Sequence, residues 1–186
     1  GSIATVVTSG FTSIDTLTGA ASDSLQLPAG TANTVSISGA NAGTVTGSSS
    51  FSGFSTLLAG ALGDTFNITT GTGSMTTITG GAGTDTLSTA GAGGSKTVTL
   101  TAASTGSVNT TATTGFSSIE TLAGAASDTL QLKNTANTAT ISGASSGSLG
   151  TGETFSGFGT LAAGSAGDTF NFTGGSVATV TGGVGT

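Results

Sequence analysis

The sequence repeats itself over most of its length, and this constrains the fold more than any other feature. The segment GFTSIDTLTGAASDSLQL at 10–27 returns 105 residues later as GFSSIETLAGAASDTLQL at 115–132. A second pair, FSGFSTLLAGALGDTFNI at 51–68 and FSGFGTLAAGSAGDTFNF at 155–172, is separated by 104 residues. A chain made of such copies is expected to fold as an array in which each copy packs on its neighbours.

The long unit divides further at its aspartates. Neighbouring members of the series are separated by one or two multiples of about 21 residues, so we predict five coils in each 105-residue unit and about nine coils in the chain. The chain then consists of a first unit at 1–105 and a second, truncated unit at 106–186 of the same continuous solenoid. The series is Asp23, Asp64, Asp85, Asp128 and Asp168.

Short segments with period two indicate β-strands. TVSIS at 34–38, TFNIT at 65–69 and KTVTL at 96–100 alternate apolar and polar residues, mostly with hydroxyl groups, and Gly, Asn, Ser and Asp punctuate them. We therefore predict an all-β fold, a right-handed parallel β-helix or β-solenoid with stacked apolar ladders inside. One ladder is predicted from Phe11, Phe54, Phe116 and Phe158, and another from Leu25, Phe66, Leu87, Leu130 and Phe170.

The composition excludes most functional classes. The chain has no His or Cys, its only cations are Lys96 and Lys133, and its net charge is −6. General acid–base catalysis at neutral pH usually needs a histidine, or a carboxylate or lysine whose pKa is shifted by neighbouring groups. We therefore predict no enzyme and no catalytic residue. Nucleic-acid binding needs cationic contacts to phosphate, and no apolar run is long enough to span a membrane. The two lysines are expected to be solvated turn or edge residues.

The runs NTVSISGANAGTVTG at 33–47 and FSGFSTLLAGALGDTFNIT at 51–69 resemble the β-strand repeats of giant bacterial surface and secreted proteins. Those arrays are similar to the β-helices of filamentous haemagglutinin and autotransporters. The resemblance implies a right-handed β-helix, an extracellular or cell-surface location, and a structural or adhesive role as a stalk, spacer or fibre. The expected partners are other repeats of a longer parent chain, of which this chain is an excerpt, and further copies joined end to end or side by side.

A narrower resemblance concerns calcium. The segment GGAGTDTLS at 80–88 is similar to the RTX nonapeptide, whose family uses turn carbonyls and aspartates as calcium ligands. The implied metal residues are Asp64, Asp85 and Asp168, with Ca²⁺ as the only possible cofactor. Calcium takes six to eight oxygen ligands, whereas these motifs are about 20 residues apart and supply few carboxylates each. Aspartates that cap backbone N–H groups at coil corners are the favoured alternative.

Thr-x-Thr and Thr-x-Ser pairs are a further pattern, for example at 44–46, 77–79 and 97–99. Flat threonine arrays on a β-solenoid resemble ice-binding faces, so an ice-binding solenoid is a second alternative function. The competing interpretation is that these residues are solvent-facing positions filled with good strand formers. The second copy replaces the pair at 44–46 by Ser148-Leu149-Gly150, which favours the competing interpretation.

Overall fold

The computed structural model describes residues 5–7, 14–46, 49–110 and 114–185, and all regular secondary structure in these residues is β-strand. The strands are short, as expected for a chain with a turn residue every few positions. In chain order they are β1 (Thr5–Val7), β2 (Thr16–Thr18), β3 (Ser24–Gln26), β4 (Thr34–Gly39), β5 (Ala42–Val45), β6 (Ser49–Ser52), β7 (Thr56–Leu58), β8 (Thr65–Ile68), β9 (Thr77–Thr79), β10 (Thr86–Ser88), β11 (Thr97–Ala102), β12 (Thr105–Val108), β13 (Thr114–Ser117), β14 (Thr121–Ala123), β15 (Thr129–Gln131), β16 (Thr138–Gly143), β17 (Ser146–Leu149), β18 (Thr154–Ser156), β19 (Thr160–Ala162), β20 (Thr169–Phe172) and β21 (Thr179–Thr181).

The strands form two mostly parallel sheets, an arrangement compatible with a β-solenoid. The ten-stranded sheet has the order β1-β3-β7-β9-β13-β12-β11-β15-β19-β21, and the eleven-stranded sheet has the order β2-β6-β5-β4-β8-β10-β14-β18-β17-β16-β20. Between β7 and β10 the chain alternates between the sheets and returns to a neighbouring position every 21 residues, pairing Thr56 with Thr77 and Thr65 with Thr86.

Among the described strands, three antiparallel meanders interrupt this regular alternation. Strands β4–β6 and β16–β18 fold back on themselves within the eleven-stranded sheet, and β11–β13 do so within the ten-stranded sheet. The predicted uniformly parallel coils are therefore wrong at these three places. Because β3 and β15 start 105 residues apart and are second and eighth in the ten-stranded sheet, one repeat unit advances by six strand positions.

Each meander begins with a tight turn that requires a left-handed residue. The register leaves two residues between Gly39 and Ala42 in the first hairpin, and the other two hairpins have the same spacing. The second turn residue has positive φ in all three cases, at 53° for Asn41, 50° for Ser104 and 48° for Ser145. Asn is among the residues that tolerate this region best, and a serine hydroxyl can bond locally to the turn backbone.

A glycine under an aromatic ring marks the middle strand of every meander. In the first meander, Gly43 pairs with Phe51, and a methyl group at Gly43 would lie 3.0 Å from the ring and 2.1 Å from the carbonyl oxygen of Ser36. The phenylalanine thus covers the backbone that the glycine leaves bare, which stabilises a glycine inside a sheet. The other two pairs are Gly106 with Phe116 and Gly147 with Phe155.

These contacts correct the predicted phenylalanine ladder. Phe54 and Phe158 are equivalent, since each ring lies against a glycine of the preceding layer, Gly19 or Gly124. Phe116 instead corresponds to Phe51 and Phe155, and Ile119 takes the position of Phe54. Phe11 lies outside the described residues.

The second predicted ladder is also divided. Leu25 and Leu130 belong to the ten-stranded sheet, whereas Phe66, Leu87 and Phe170 belong to the eleven-stranded sheet. Within each sheet the interior neighbours do stack, as Phe66 does on Leu87. Side chains from both sheets then form one buried apolar cluster, in which Leu25, Phe66 and Leu130 have no exposed surface and Leu87 is 1 % exposed.

A methyl group at the meander glycine tests this packing. We expect Gly43→Ala to lower the free energy of unfolding by about 1–3 kcal/mol, because the added carbon meets backbone and ring atoms that cannot both move away. The measurement is the denaturant midpoint with circular dichroism detection. The matched control is Gly30→Ala, where nothing lies within 4 Å of the added carbon. Equal midpoints for the two variants would contradict the close approach at Gly43.

Candidate functional site

Acidic residues occupy one kind of position throughout the chain. Every one directly precedes a strand that begins with Thr or Ser, so the charges lie at the corners between strands. Charged residues make up only 5 % of the chain, and the acidic ones are concentrated at these corners. The acids are Asp15, Asp23, Asp64, Asp85, Glu120, Asp128, Glu153 and Asp168.

Three of these acids and one asparagine form a continuous chain of contacts, here called the corner row: Asn33, Asp64, Asp85 and Glu120. The backbone N–H of Asn33 donates to Oδ1 of Asp64 at 2.6 Å, and the N–H of Asp64 donates to Oδ1 of Asp85 at 2.6 Å. The N–H of Asp85 donates in turn to Oε2 of Glu120 at 2.9 Å. Each carboxylate therefore satisfies a turn N–H of the neighbouring layer, which is a strong charge-assisted contact.

The second oxygen of most aspartates closes its own turn. Oδ2 accepts from a backbone N–H three or four residues earlier in Asp23 (2.9 Å), Asp64 (3.3 Å), Asp128 (2.9 Å) and Asp168 (2.8 Å). Asp85 differs, because its Oδ2 is buried and has no hydrogen-bond partner in the structure. The RTX-like segment thus contains the aspartate with spare acceptor capacity.

Burial raises the pKa of the Asp85 carboxyl above the ordinary range of an aspartate. The N–H bond from Asp64 acts in the opposite direction, and the carboxylates of Asp64 and Glu120 raise the pKa further by repulsion. Asp85 has no exposed surface and Asp64 is 1 % exposed, so water screens this repulsion weakly. The corner row therefore carries like charges in a buried place and is held together by the N–H groups between them.

The predicted metal residues are only partly brought together. Asp64 and Asp85 lie in neighbouring layers, one coil apart, as the 21-residue spacing predicts. Asp168 lies in a separate corner, where its Oδ1 accepts from the backbone N–H of Asn137 at 2.8 Å. Among the described residues, no group of three or more Asp or Glu side chains is arranged to hold a metal ion. Calcium at these residues stays a prediction.

Sequence reasoning missed the amide and glutamate members of the corners. Asn33 and Asn137 occupy the position of the acids before β4 and β16, and each donates from Nδ2 to an aspartate of the next layer. Glu120 closes the corner row. The sequence does contain a signal for these corner residues, because Asn-Thr and Glu-Thr pairs begin strands in the same way as Asp-Thr and Asp-Ser pairs.

The two lysines, expected to be solvated turn or edge residues, lie in different surroundings. The Nζ group of Lys96 donates to the carbonyl oxygen of Gly93 at 2.8 Å, at an exposed turn. Lys133 is half-buried, and its Nζ group donates to Oδ1 of Asn137 at 2.7 Å. Lys133 therefore takes part in the corner that also contains Asp168.

The outer faces of the sheets carry short polar side chains. A continuous row of hydroxyl groups on neighbouring strands consists of Thr65, Thr86, Thr121 and Thr154. Two residues further along the same strands the row is mixed, with Asn67, Ser88, Ala123 and Ser156. A regular two-row threonine face, which the ice-binding alternative needs, does not form on these four strands.

Comparison of the chain with protein-family models, curated proteins and solved structures finds no match. In the part of the chain that the structure describes, no helix has the length and apolarity needed to cross a membrane.

The corner row predicts an unusual pH dependence. A raised folded pKa means that the contribution of Asp85 to stability is greatest when its carboxyl is protonated, and is lost as the pH rises from the ordinary aspartate range through the raised value. We expect Asp85→Asn to increase the free energy of unfolding at neutral pH by about 1 kcal/mol, because a neutral amide removes a buried charge between two others. The increase should shrink as the pH falls, measured by denaturant unfolding across the acidic range.

Asp128→Asn is the matched control. Both oxygens of Asp128 accept hydrogen bonds, Oδ1 from the N–H of Lys96 at 2.8 Å and Oδ2 from Ala125 and Thr89 at 2.9 and 2.8 Å. The NH2 group of an asparagine side chain would face N–H and O–H groups that also donate. The free energy of unfolding of this variant should therefore fall by about 1–3 kcal/mol at neutral pH. Equal losses in the two variants would contradict the special position of Asp85.

Proposed function

We propose that this chain is a non-enzymatic structural or adhesive segment of a large exported bacterial surface protein. It acts as a stalk, a spacer or part of a self-associating fibre. The observation that carries the proposal is the equivalence of layers one repeat apart: β3 and β15 start 105 residues apart, and each pairs with a leucine-containing strand in the same register. An array with this property can be extended by further repeats that form the same contacts between layers.

The layer contacts recur at the level of single atoms. In the first copy, Asn33 donates to Oδ1 of Asp64 at 2.7 Å, and in the second copy Asn137 donates to Oδ1 of Asp168 at 2.5 Å. The interior stack of the ten-stranded sheet recurs as well, since Leu25 pairs with Leu57 as Leu130 pairs with Leu161. Stability in such arrays is approximately a sum over neighbouring layers, which suits a rod whose function depends on length.

We interpret the alternation between the two sheets as the winding of a right-handed β-solenoid, because parallel crossovers strongly prefer that hand. The meanders widen single coils, so the coils vary in length, whereas the long unit recurs after 104 or 105 residues. The uncharged outer faces, with charges restricted to corners, would also allow rods to lie side by side. Export and attachment to a cell surface rest on the resemblance to bacterial surface repeats.

The length of the rod gives a direct test. A chain with residues 24–128 duplicated in tandem contains one additional repeat unit, and six added strand positions correspond to a rod longer by about 29 Å. Small-angle X-ray scattering of the purified monomer should show this increase in maximum dimension at an unchanged cross-section. A larger cross-section with little added length would indicate a second globular domain and contradict the proposed function.

Calcium stabilisation is a second candidate, favoured by one observation, the buried Oδ2 of Asp85 without a hydrogen-bond partner. A cation that binds the folded chain alone stabilises it by mass action, by about 2.7 kcal/mol at 100 times the dissociation constant.

If Ca²⁺ binds at Asp85, the melting temperature should be higher in excess Ca²⁺ than in EGTA, and Asp85→Asn should remove the difference. The matched variant is Asp23→Asn, in the corner of another sheet, which should retain it. Identical melting of the wild-type chain in Ca²⁺ and EGTA would exclude this candidate.

A further inference from the structure

The corner around Lys133 brings together an amine, a side-chain amide and a carboxylate. Nζ of Lys133 donates to Oδ1 of Asn137 at 2.7 Å, and Nδ2 of Asn137 donates to Oδ1 of Asp168 at 2.5 Å. Asn137 is only 7 % exposed, and Lys133 and Asp168 are half-buried. Lys133 and Asn137 lie four residues apart in the turn between β15 and β16, and Asp168 lies in the corner before β20.

The orientation of this amide is fixed by its partners. Besides Asp168, Nδ2 of Asn137 donates to the carbonyl oxygens of Lys133 at 2.9 Å and Thr135 at 2.6 Å. All these partners are acceptors, whereas the lysine amine is a donor, so the oxygen of the amide must face Lys133. The amine is therefore next to the Cγ carbon of Asn137, and the carboxylate is next to the nitrogen that would leave.

We propose that Lys133 and Asn137 form an intramolecular isopeptide bond, with Asp168 as the group that transfers the proton. The unprotonated Nζ attacks Cγ of Asn137, and the carbonyl π-electrons move to Oδ1. Asp168 accepts the proton that the amine loses and passes it to Nδ2. The Cγ–Nδ2 bond then breaks, ammonia leaves, and the new Nζ–Cγ amide remains with Asp168 again ionised. No oxidant, reductant or metal is consumed.

The geometry supplies the two things that such a reaction needs. Amide and amine are held in contact, which replaces a bimolecular encounter by an intramolecular one and can be worth many orders of magnitude in rate. A cavity of about 180 Å³, lined by Lys133, Asn137 and Leu149 among others, borders the reacting atoms. It has room for the small movement of Nζ from oxygen to carbon and for the departure of ammonia, a molecule about the size of water.

The first copy of the repeat contains the same corner without the amine. Asn33 donates from Nδ2 to the carbonyl oxygens of Pro28 and Thr31 and to Oδ1 of Asp64, at 2.9, 3.0 and 2.7 Å. The segment Pro28-Ala29-Gly30 stands there in place of Lys133-Asn134. The chain therefore carries its own control, a corner with amide and carboxylate that cannot form the bond.

Trypsin gives a sharp readout, because the chain has two lysines and no arginine. The denatured chain should be cleaved after Lys96 but not after Lys133, whose amine would be acylated. Its intact mass should be lower than the sequence mass by one molecule of ammonia. Lys133→Arg should restore the full mass and allow cleavage at both sites, and Asp168→Asn should leave most molecules unreacted.

A graft provides the gain-of-function test. Replacing Pro28-Ala29-Gly30 by Lys-Asn should create a second bond, to Asn33, and the loss of a second molecule of ammonia. A succinimide at Asn137 would also release ammonia, but it would persist in Lys133→Arg, hydrolyse in mild base and leave Lys133 open to trypsin. Full sequence mass in the wild-type chain after prolonged incubation at alkaline pH, or cleavage after Lys133, would overturn the proposal.

Discussion

The hydrogen bonds between the corners of neighbouring layers are the constraint on which the rest of the structure depends. Within a sheet, the backbone groups of a strand form hydrogen bonds to the neighbouring strands. The turn that joins the two sheets has N–H groups without such a partner, and a buried N–H group must find another acceptor. In the corner row, Asp64, Asp85 and Glu120 each accept the N–H of their counterpart in the adjacent layer through a carboxylate. The same contact that satisfies the turn also fixes the register, because the following threonines then pair directly, as Thr65 does with Thr86.

This constraint explains how the chain tolerates meanders that a simple coil would not contain. Two strands of a hairpin can be inserted without moving any corner, provided that the chain leaves and re-enters the sheet on the same side. The insertion brings a glycine backbone against a carbonyl oxygen, at Gly43 and Ser36 in the first meander, and the ring of Phe51 fills the space beside it. The meander is thus a local addition to a sheet whose ends are set elsewhere.

The sequence predicts the strands, the repeat and the proximity of Asp64 and Asp85 well, because each of these depends on local alternation or on a fixed spacing. It predicts the meanders poorly, because a strand in TVSISGANAGTVTG alternates with period two whether its neighbour is parallel or antiparallel. The equivalence of Phe116 with Phe54 failed for a related reason. Both follow a glycine, but Gly53 has a φ of 83° in a turn, whereas Gly115 lies inside β13. The same Gly-Phe pair therefore has a different backbone conformation at the two places.

Side-chain partners across layers could not be read from the sequence at all, because they depend on which corner lies above which. Nδ2 has three equivalent acceptors in Asn33 and in Asn137, yet only Asn137 has a lysine on its oxygen, because Lys133-Asn134 stands in place of Pro28-Ala29-Gly30 in the preceding turn. Asp85 has the same corner position as Asp64, yet its second oxygen has lost the partner that Gly60 gives to Asp64. The repeated frame is tolerant at its turns because the strands on both sides hold the register. Chemical individuality in this chain therefore arises at the corners, where one substitution changes a contact without moving the layers.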